Sequence, residues 1–128
     1  MVADSTEDLL EKLKEPIISH RAKGISRIIY CFTGQGAQWY AMGRELLSYT
    51  AFKQTILHAE MFLKSLGVEW SVMDELTASK KRSQLGLATY AQPLCTVLQI
   101  GLVNLLSEWG IQPTAVIGHS SGEIGKCS

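Results

Sequence analysis

A glycine-flanked serine near the C-terminus constrains this chain more than any other feature. The apolar run 114–117 leads directly into Gly118-His119-Ser120-Ser121-Gly122, a GxSxG pattern, and Glu123-Ile124 then favours the start of a helix. In this setting the glycines let a strand and a helix approach closely, while the serine is held in a strained and exposed turn. The pattern predicts Ser120 as a nucleophile, with the backbone N–H of Ser121 facing a developing oxyanion. The same residues also suit a plain serine-rich helix cap, which is the structural alternative.

The histidines offer no evident general base for this serine. Successive residues at the end of a strand point to opposite sides, so His119 is expected to face away from Ser120 and to pack against or support the turn. His20 falls in a linker and His58 on a helix with other structural signals, and neither has an evident reason to reach the serine. The sequence thus predicts a nucleophile without a base.

A second glycine turn follows the first predicted strand. Residues 27–32 form a short apolar run that predicts a buried strand, Thr33-Gly34-Gln35-Gly36 follows it, and residues 37–47 favour a helix. The exposed N–H groups of such a turn, that of Gln35 above all, suit the second donor of an oxyanion hole. A simple strand-to-helix turn is the alternative.

Neither glycine segment matches a nucleotide-binding pattern. A dinucleotide fingerprint needs a third glycine at the position of Trp39. A P-loop ending at Gly125-Lys126 would need Ser or Thr where Cys127 stands. Both nucleotide-binding alternatives therefore fail.

The rest of the chain predicts three helices and one further strand. Helical spacing of apolar residues ends at Gly67, Ser71 and Asp74 resemble a capping box, and Pro93 suits the first turn of a long helix that is apolar nearly all round. The Lys80-Lys81-Arg82 cluster is expected to be a solvated turn. Strands that alternate with helices predict an α/β fold whose long helix is buried on several sides. These elements lie at residues 52–66, 71–77, 92–109 and 114–117.

Composition and charge argue against several classes of function. The 128 residues suffice for one modest core, and 46% hydrophobic with 19% charged residues is typical of a soluble globular protein. Twelve basic residues balance twelve acidic ones without a basic stripe, which argues against nucleic-acid binding. The apolar stretch 94–106 is too short for a membrane span, and the acidic N-terminus does not suit a secretory signal. Three widely spaced cysteines lack zinc-site spacing, so no metal is expected, and reduced thiols favour a cytoplasmic protein.

Four segments, in order, resemble the malonyl-transferase family, the acyltransferase domains of fatty-acid and polyketide synthases, with fungal reducing polyketide synthases the closest. The matching segments are FTGQGAQW from Phe32, MGREL from Met42, QPLCT from Gln92 and AVIGHSSGEI from Ala115. The resemblance covers about residues 26 to 124. Residues 1–25 are therefore expected to be a linker that precedes the domain, and residues 26–128 the N-terminal part of the domain.

The resemblance implies a fold and a chemistry. The fold would be part of an α/β-hydrolase-like large subdomain, with a short parallel sheet and flanking helices but without the ferredoxin-like small subdomain. Ser120 would attack the thioester of acyl-CoA, with malonyl the expected acyl group, and the phosphopantetheine thiol of an acyl-carrier protein would then accept it. Backbone N–H groups of Gln35 and Ser121 would form the oxyanion hole, and Gln92 would line the acyl pocket. No bound cofactor is implied, and other synthase domains are expected partners.

Some parts of the family have no counterpart in this sequence. The general-base histidine and the arginine that grips the malonyl carboxylate both follow the elbow in the family, beyond Ser128, and residues 125–128 depart from its alanine-rich helix. The chain is therefore expected to be a truncated and inactive portion, because loss of a triad member costs about 10⁴ or more in rate. A non-catalytic interaction fragment and an α/β serine hydrolase are the alternatives. The residues that choose the extender unit are expected downstream.

Overall fold

A computed structural model describes residues 5–12, 14 and 27–126 of the chain. Residues 1–4, 13, 15–26, 127 and 128, which include most of the predicted linker, lie outside the described residues. Along the described chain the elements are α1 (Thr6–Lys12), β1 (Ile29–Phe32), a 3₁₀ helix (Glu45–Ser48), α2 (Thr50–Ser65), α3 (Val72–Thr77), α4 (Ala88–Glu108), β2 (Ala115–Gly118) and α5 (Gly122–Lys126).

The two strands form one parallel sheet. β1 pairs with β2 in a register that sets Ile29 opposite Ala115 and Phe32 opposite Gly118. Parallel neighbours require a long crossover, which here contains α2, α3 and α4. This confirms the predicted α/β class, with a short parallel sheet and flanking helices. Because the strands are parallel, the glycine loop after Phe32 and the turn after Gly118 meet at the same edge of the sheet.

The hydrophobic core lies between α2, α3 and α4. Fully burying an apolar side chain of medium size contributes about 1.5–3 kcal/mol. Phe52 of α2 packs against the backbone of α4 at Gly101, where an added Cβ would lie 2.8 Å from the ring. The largest fully buried side chains are Phe52, Ile56, Val72, Leu76, Leu94 and Leu105. The middle of α4 is therefore the anchor of the domain, as expected of a helix that is apolar nearly all round.

The shorter helices follow their predicted stop and start signals. α2 ends at Ser65, and Gly67 beyond it adopts a φ of 88°, as a glycine stop signal requires. The hydroxyl of Ser71 accepts a 3.1 Å hydrogen bond from the N–H of Asp74, so the predicted cap of α3 is confirmed. Among the described helices none has the length and hydropathy needed to cross a membrane.

The long helix α4 begins earlier than predicted. The sequence favoured a start near Gln92 with Pro93 in the first turn, but the helix begins at Ala88 and Pro93 lies inside it. The carbonyl of Leu87 accepts hydrogen bonds from the N–H groups of Tyr90 and Ala91, which closes the additional turn. The prediction was wrong because it assumed that Pro93 occupies the first turn, where proline is most common in helices. The helix starts one turn earlier, where the carbonyl of Leu87 accepts the first hydrogen bonds.

The predicted helix over residues 37–47 is absent. That segment instead forms successive turns and then the 3₁₀ helix. Ala41 and Gly43 both adopt positive φ values, 65° and 73°, which an α-helix does not permit. Gly43 also packs directly onto the side chains of Leu98 and Phe52, so the tertiary contact with the core overrides the local helix propensity.

Both strands were predicted to be buried, and this is wrong for most of their side chains. Ile29 is 64% exposed and Ile117 is 56% exposed, whereas Phe32 is buried. Parallel strands are usually covered on both faces by helices and by further strands. Within the described residues the sheet has two strands only, so apolar side chains that such strands normally bury face outwards.

Candidate active site

Ser120 lies in a sharp turn between β2 and α5. β2 ends at Gly118, α5 begins at Gly122, and Ser120 between them has a φ of 56°. A residue other than glycine in this left-handed region costs roughly 1–2 kcal/mol. The turn is closed by hydrogen bonds from the N–H of Gly122 to the carbonyl of His119, at 3.0 Å, and from the N–H of Glu123 to the carbonyl of Ser120, at 3.1 Å. Ser120 is exposed and lies outside any helix, which is the geometry expected of a nucleophile elbow.

The two flanking glycines allow three backbone segments to meet here. A Cβ on Gly122 would collide with the carbonyl group of Phe32, at the end of β1. A Cβ on Gly118 would lie 2.8 Å from the Cα and 2.9 Å from the amide nitrogen of Glu123. Side chains at either position would therefore push α5 away from the sheet and change the direction of the turn.

The glycine loop after β1 lies directly against the elbow. A Cβ added to Gly34 would be 2.9 Å from the Cβ of Ser120 and 3.3 Å from the amide nitrogen of Ser121. The N–H of His119 donates a 3.0 Å hydrogen bond to the carbonyl of Phe32, which ties the two segments together one residue beyond the strands. Gln35 follows Gly34, so the structure brings the loop that carries one predicted oxyanion donor into contact with the elbow, which carries Ser120 and the other donor, Ser121.

The two predicted oxyanion donors, the backbone N–H groups of Gln35 and Ser121, share one property. Neither of them donates a hydrogen bond within the described part of the chain. The loop itself is held by a 2.7 Å hydrogen bond from the N–H of Gly36 to Oε1 of Gln38. An oxyanion hole requires such preorganised donors without an internal partner.

Two glutamines of α4 brace the glycine loop. Nε2 of Gln92 donates a 2.8 Å hydrogen bond to Oε1 of Gln35. Nε2 of Gln99 donates a 2.7 Å hydrogen bond to the carbonyl of Thr33. Gln92 thus touches the predicted oxyanion residue through its side chain. Gln99 was not predicted as a site residue, although a second glutamine two turns after Gln92 on an apolar helix indicates a shared polar face.

Neither of the two described histidines, His58 and His119, forms a hydrogen bond with Ser120. The side chain of His119 is exposed and makes no hydrogen bond within the described residues, whereas its backbone N–H and carbonyl both form hydrogen bonds that hold the turn. His20 lies outside the described residues. His58 lines a groove of about 710 Å³ between α2, α4 and α5, which Ser121 and Gln92 also line and Ser120 does not.

Arg44 is bound to backbone carbonyls, and no metal site is found near the described part of the glycine loop. Arg44, which follows the glycine loop, donates hydrogen bonds to the carbonyls of Leu76 (2.8 Å) and Ala78 (2.6 Å) and so closes the end of α3. Its guanidinium is therefore committed to backbone. No group of three or more His, Cys, Asp or Glu side chains gathers as a metal site among the described residues.

Comparison with known proteins identifies the family. The acyl transferase domain family matches residues 29–127. Highly reducing polyketide synthase 40 of Fusarium mangiferae is 49% identical over 126 residues, which is 98% of this chain but 5% of that synthase. The chain thus spans a small fraction of the curated relatives that it matches.

Solved structures show the same fold. The acyl transferase domain of ZmaA has a TM-score of 0.83 at 26% sequence identity. The match covers 97% of this chain and 31% of the ZmaA chain. The malonyl-CoA:ACP transacylase of Synechocystis has a TM-score of 0.67 at 34% sequence identity. The match covers 79% of this chain and 32% of the transacylase chain. Since the family match covers more than half of the sequence and these relatives agree with it, the chain belongs to the acyl transferase domain family and is similar to fungal reducing polyketide synthases.

Proposed function

We propose that this chain carries the nucleophile and the oxyanion hole of an acyltransferase that moves an acyl group from CoA to a carrier protein. The observation that supports this proposal is the contact between the elbow, where an exposed Ser120 has a φ of 56°, and Gly34 of the loop that carries Gln35; the N–H groups of Gln35 and Ser121 donate no hydrogen bond within the described residues. This arrangement fits the formation of an anionic tetrahedral intermediate.

The proposed reaction has two half-steps. Oγ of Ser120 bonds to the thioester carbonyl carbon and loses its proton to a base, the carbon–sulfur bond breaks, and CoA leaves as a thiol after taking up a proton. The phosphopantetheine thiol of the carrier protein then attacks the acyl-serine and releases the Ser120 hydroxyl. In both steps the N–H groups of Gln35 and Ser121 donate to the oxyanion, and one such donor is worth about 10²–10³ in rate.

Malonyl is the acyl group that we propose. One of the solved structures similar to this chain is a malonyl-CoA:ACP transacylase, and polyketide synthases are among the relatives. Gln92 would border the acyl group, since its side chain holds that of Gln35 at 2.8 Å. Substrate and acceptor supply all of the reactive sulfur, so the proposal includes no bound cofactor. We place the reaction in the cytoplasm, which suits the free thiols of Cys31 and Cys95.

The 128-residue polypeptide on its own is proposed to acylate slowly. The described residues set no histidine against Ser120, and a serine hydroxyl without a base is a poor nucleophile. Loss of a triad member leaves a rate about 10⁴ lower, while the oxyanion hole retains part of the catalysis. Added imidazole should therefore replace the missing base in part.

Intact-mass measurement tests this proposal. The chain is incubated with malonyl-CoA with and without imidazole, and the fraction carrying one malonyl group is followed with time. We expect slow addition that imidazole accelerates, that Ser120→Ala abolishes and that Ser65→Ala, a change at an exposed serine of α2, leaves intact. Equal labelling of the Ser120→Ala variant would overturn the role of Ser120. Fast labelling of Ser120 without imidazole would show that a base is present, and it would leave the proposed role of Ser120 intact.

A further inference from the structure

One side chain of α4, that of Gln99, lies between the glycine loop and the helix of the elbow. Its Nε2 donates a 2.7 Å hydrogen bond to the carbonyl of Thr33, the residue before Gly34. Its Oε1 faces α5 and lies 2.8 Å from a Cβ built on Gly125. A single amide group therefore spans the space between the two segments that carry the proposed oxyanion donors.

The carbonyl of Thr33 lies where the glycine loop, α4 and α5 meet. It is the first carbonyl beyond β1, and it lies 2.9 Å from a Cβ built on Gly122, the first residue of α5. Gly122 and Gly125 are three positions apart, so they lie on the same face of the helix. This face of α5, which has no side chains, thus accommodates both the Thr33 carbonyl and the amide group of Gln99.

The Thr33 carbonyl belongs to the peptide group next to the one that bears the N–H of Gln35. Gly34 lies between them, and glycine by itself permits many backbone conformations. The carbonyl of Gly34, which shares a peptide group with the Gln35 N–H, accepts a hydrogen bond from Ala37, but at 3.4 Å this bond is long. The 2.7 Å bond from Gln99 is therefore the shorter constraint on the direction of the Gln35 N–H.

We propose that Gln99 is a positioning residue of the oxyanion hole, which directs the N–H of Gln35 by holding the carbonyl of Thr33 against α5. This inference rests on the proposed acyl transfer, because it assigns the residue that fixes one donor of that reaction. Gln99 acts through the backbone of the loop, whereas Gln92 bonds the side chain of Gln35. Oxyanion donors are effective only when they are held in place before the reaction.

Three variants separate positioning from packing. Gln99→Met keeps an unbranched side chain of similar length but has no N–H to donate. Gln99→Glu keeps the shape, and its carboxylate only accepts hydrogen bonds until protonation supplies an O–H for the Thr33 carbonyl. Asn104→Ala is the matched control, because Asn104 lies on the same helix and its Nδ2 donates a 3.0 Å hydrogen bond to Oγ1 of Thr55, outside the glycine loop. Thermal melting checks that every variant is folded.

The first measurement follows the backbone amide resonance of Gln35 by NMR spectroscopy of the isotope-labelled 128-residue chain. We expect Gln99→Met to shift or broaden this resonance and Asn104→Ala to leave it in place. Gln99→Glu should resemble Gln99→Met at pH 7. It should regain the wild-type position, measured at the same pH, as pH falls through the pKa of the new carboxyl, which is ordinarily about 4.3.

A purely structural role for Gln99 would give no such return, because it would not depend on an O–H at this position. An unchanged Gln35 resonance in Gln99→Met would overturn the proposal. An equal change in Asn104→Ala would also overturn it, since any lost amide bond of α4 would then have the same effect. A Gln99→Glu resonance that does not respond to pH would count as a third refutation.

The second measurement follows the imidazole-assisted labelling of Ser120 at increasing concentrations of malonyl-CoA. The oxyanion forms only after the substrate has bound, so Gln99→Met should lower the saturating rate and leave the half-saturating concentration unchanged. We expect a loss of about tenfold, less than the roughly 10²–10³ that a removed donor costs. Asn104→Ala should leave both quantities unchanged. A higher half-saturating concentration at an unchanged saturating rate would assign Gln99 to substrate binding and overturn the positioning role.

The two measurements separate this inference from the proposed reaction. If the Gln35 amide responds to Gln99 as expected but the wild type is not labelled, the acyl-transfer proposal fails and the positional coupling stands. If the wild type is labelled but the amide ignores Gln99, the positioning role fails and the acyl-transfer proposal stands. If the amide responds while Gln99→Met is labelled as fast as the wild type, the effect of Gln99 on the rate is refuted, together with the oxyanion role of Gln35.

Discussion

Nε2 of Gln92 donates a 2.8 Å hydrogen bond to Oε1 of Gln35, although the two residues are 57 positions apart in sequence. The bond joins the long helix α4 to the loop whose N–H is proposed to hold the oxyanion. A loop residue gains a fixed position from such a contact, and the position of an oxyanion donor matters on the scale of tenths of an ångström. The core contacts of α4 are thereby connected to the chemistry.

Gln92→Ala should reduce the acylation of Ser120 more than it reduces stability. The lost hydrogen bond contributes about 0.5–1.5 kcal/mol, whereas a displaced oxyanion donor costs up to about 10²–10³ in rate. The measurement compares the imidazole-assisted labelling rate with the free energy of unfolding from urea denaturation. Gln112→Ala is the control, because it removes a 2.7 Å bond to Ser107 at a site outside the glycine loop. Equal losses of rate in both variants would contradict this prediction.

Gly122→Ala should destabilise the fold strongly. The added methyl group would meet the carbonyl of Phe32, and this backbone cannot yield without moving β1 or α5. Overpacking of this kind costs about 1–3 kcal/mol, and each kcal/mol lowers the melting temperature of a domain this size by about 4–8 °C. Gly86→Ala is the matched control, because nothing lies within 4 Å of its added Cβ. A melting temperature for Gly122→Ala within a degree of that of Gly86→Ala would refute the close approach.

Local signals predicted the elements whose ends depend on their own residues. The stop of α2 at Gly67, the cap of α3 at Ser71 and the strand-to-helix turn at Ser120 are all specified within a few residues. The turns around Ala41 and Gly43 were missed because their positive φ values depend on packing against Leu98 and Phe52, far away in sequence. Residue pattern can specify a turn, but it does not reveal which distant side chains occupy the space beside it.

In the candidate site too, local motifs were predictable from the sequence and long-range contacts were not. The turn at Ser120 and the glycine loop carry short motifs, so both turns could be predicted from the sequence. Their contact, at 2.9 Å between the Cβ of Ser120 and a Cβ built on Gly34, follows from the parallel pairing of β1 and β2. Gln99 carries no motif and acts only through a hydrogen bond to a backbone carbonyl, so the role of this residue required coordinates.

Glu60 should make stability depend on pH at acidic values. Burial raises the pKa of its carboxyl, but hydrogen bonds from Lys64, the N–H of Met73 and the hydroxyl of Ser71 together lower that pKa below its usual range. A carboxyl whose folded pKa is depressed stabilises the protein above the unfolded pKa and loses this effect as pH falls through the folded pKa. Glu60→Gln should therefore destabilise the chain at pH 7 by about 1–1.5 kcal/mol, the difference between a hydrogen bond to a charged group and a neutral one.

The free energy of unfolding, measured by denaturation at pH values from neutral to below about pH 4, checks this dependence. This pH range spans the ordinary glutamate pKa of about 4.3. The difference between the wild type and Glu60→Gln should shrink as the carboxyl becomes protonated. Glu45→Gln, at an exposed position whose carboxylate makes no hydrogen bond within the described residues, should show no such difference. A gap that stays constant over the whole range would mean that the carboxylate charge of Glu60 does not contribute.

The strained backbone of Ser120 leads to a prediction with an unusual sign. Glycine adopts a φ of 56° at no steric cost, whereas alanine keeps a penalty of roughly 1–2 kcal/mol, and glycine loses about 0.5–1 kcal/mol more chain entropy on folding. Ser120→Gly should therefore be more stable than Ser120→Ala by about 0.5–1 kcal/mol, the difference of these two effects. Both variants lack the hydroxyl, so both should lose labelling by malonyl-CoA.

Urea denaturation of four variants measures this effect, because an ordinary helical site shows the opposite order. At Gln54, an exposed residue within α2, the alanine variant should exceed the glycine variant by about 0.8–1.0 kcal/mol. If Ser120→Ala were more stable than Ser120→Gly, residue 120 would not adopt the left-handed conformation. The turn would then store no backbone strain at Ser120. If glycine is the more stable choice, the serine is kept at a cost in folding free energy, as expected of a residue retained for its hydroxyl.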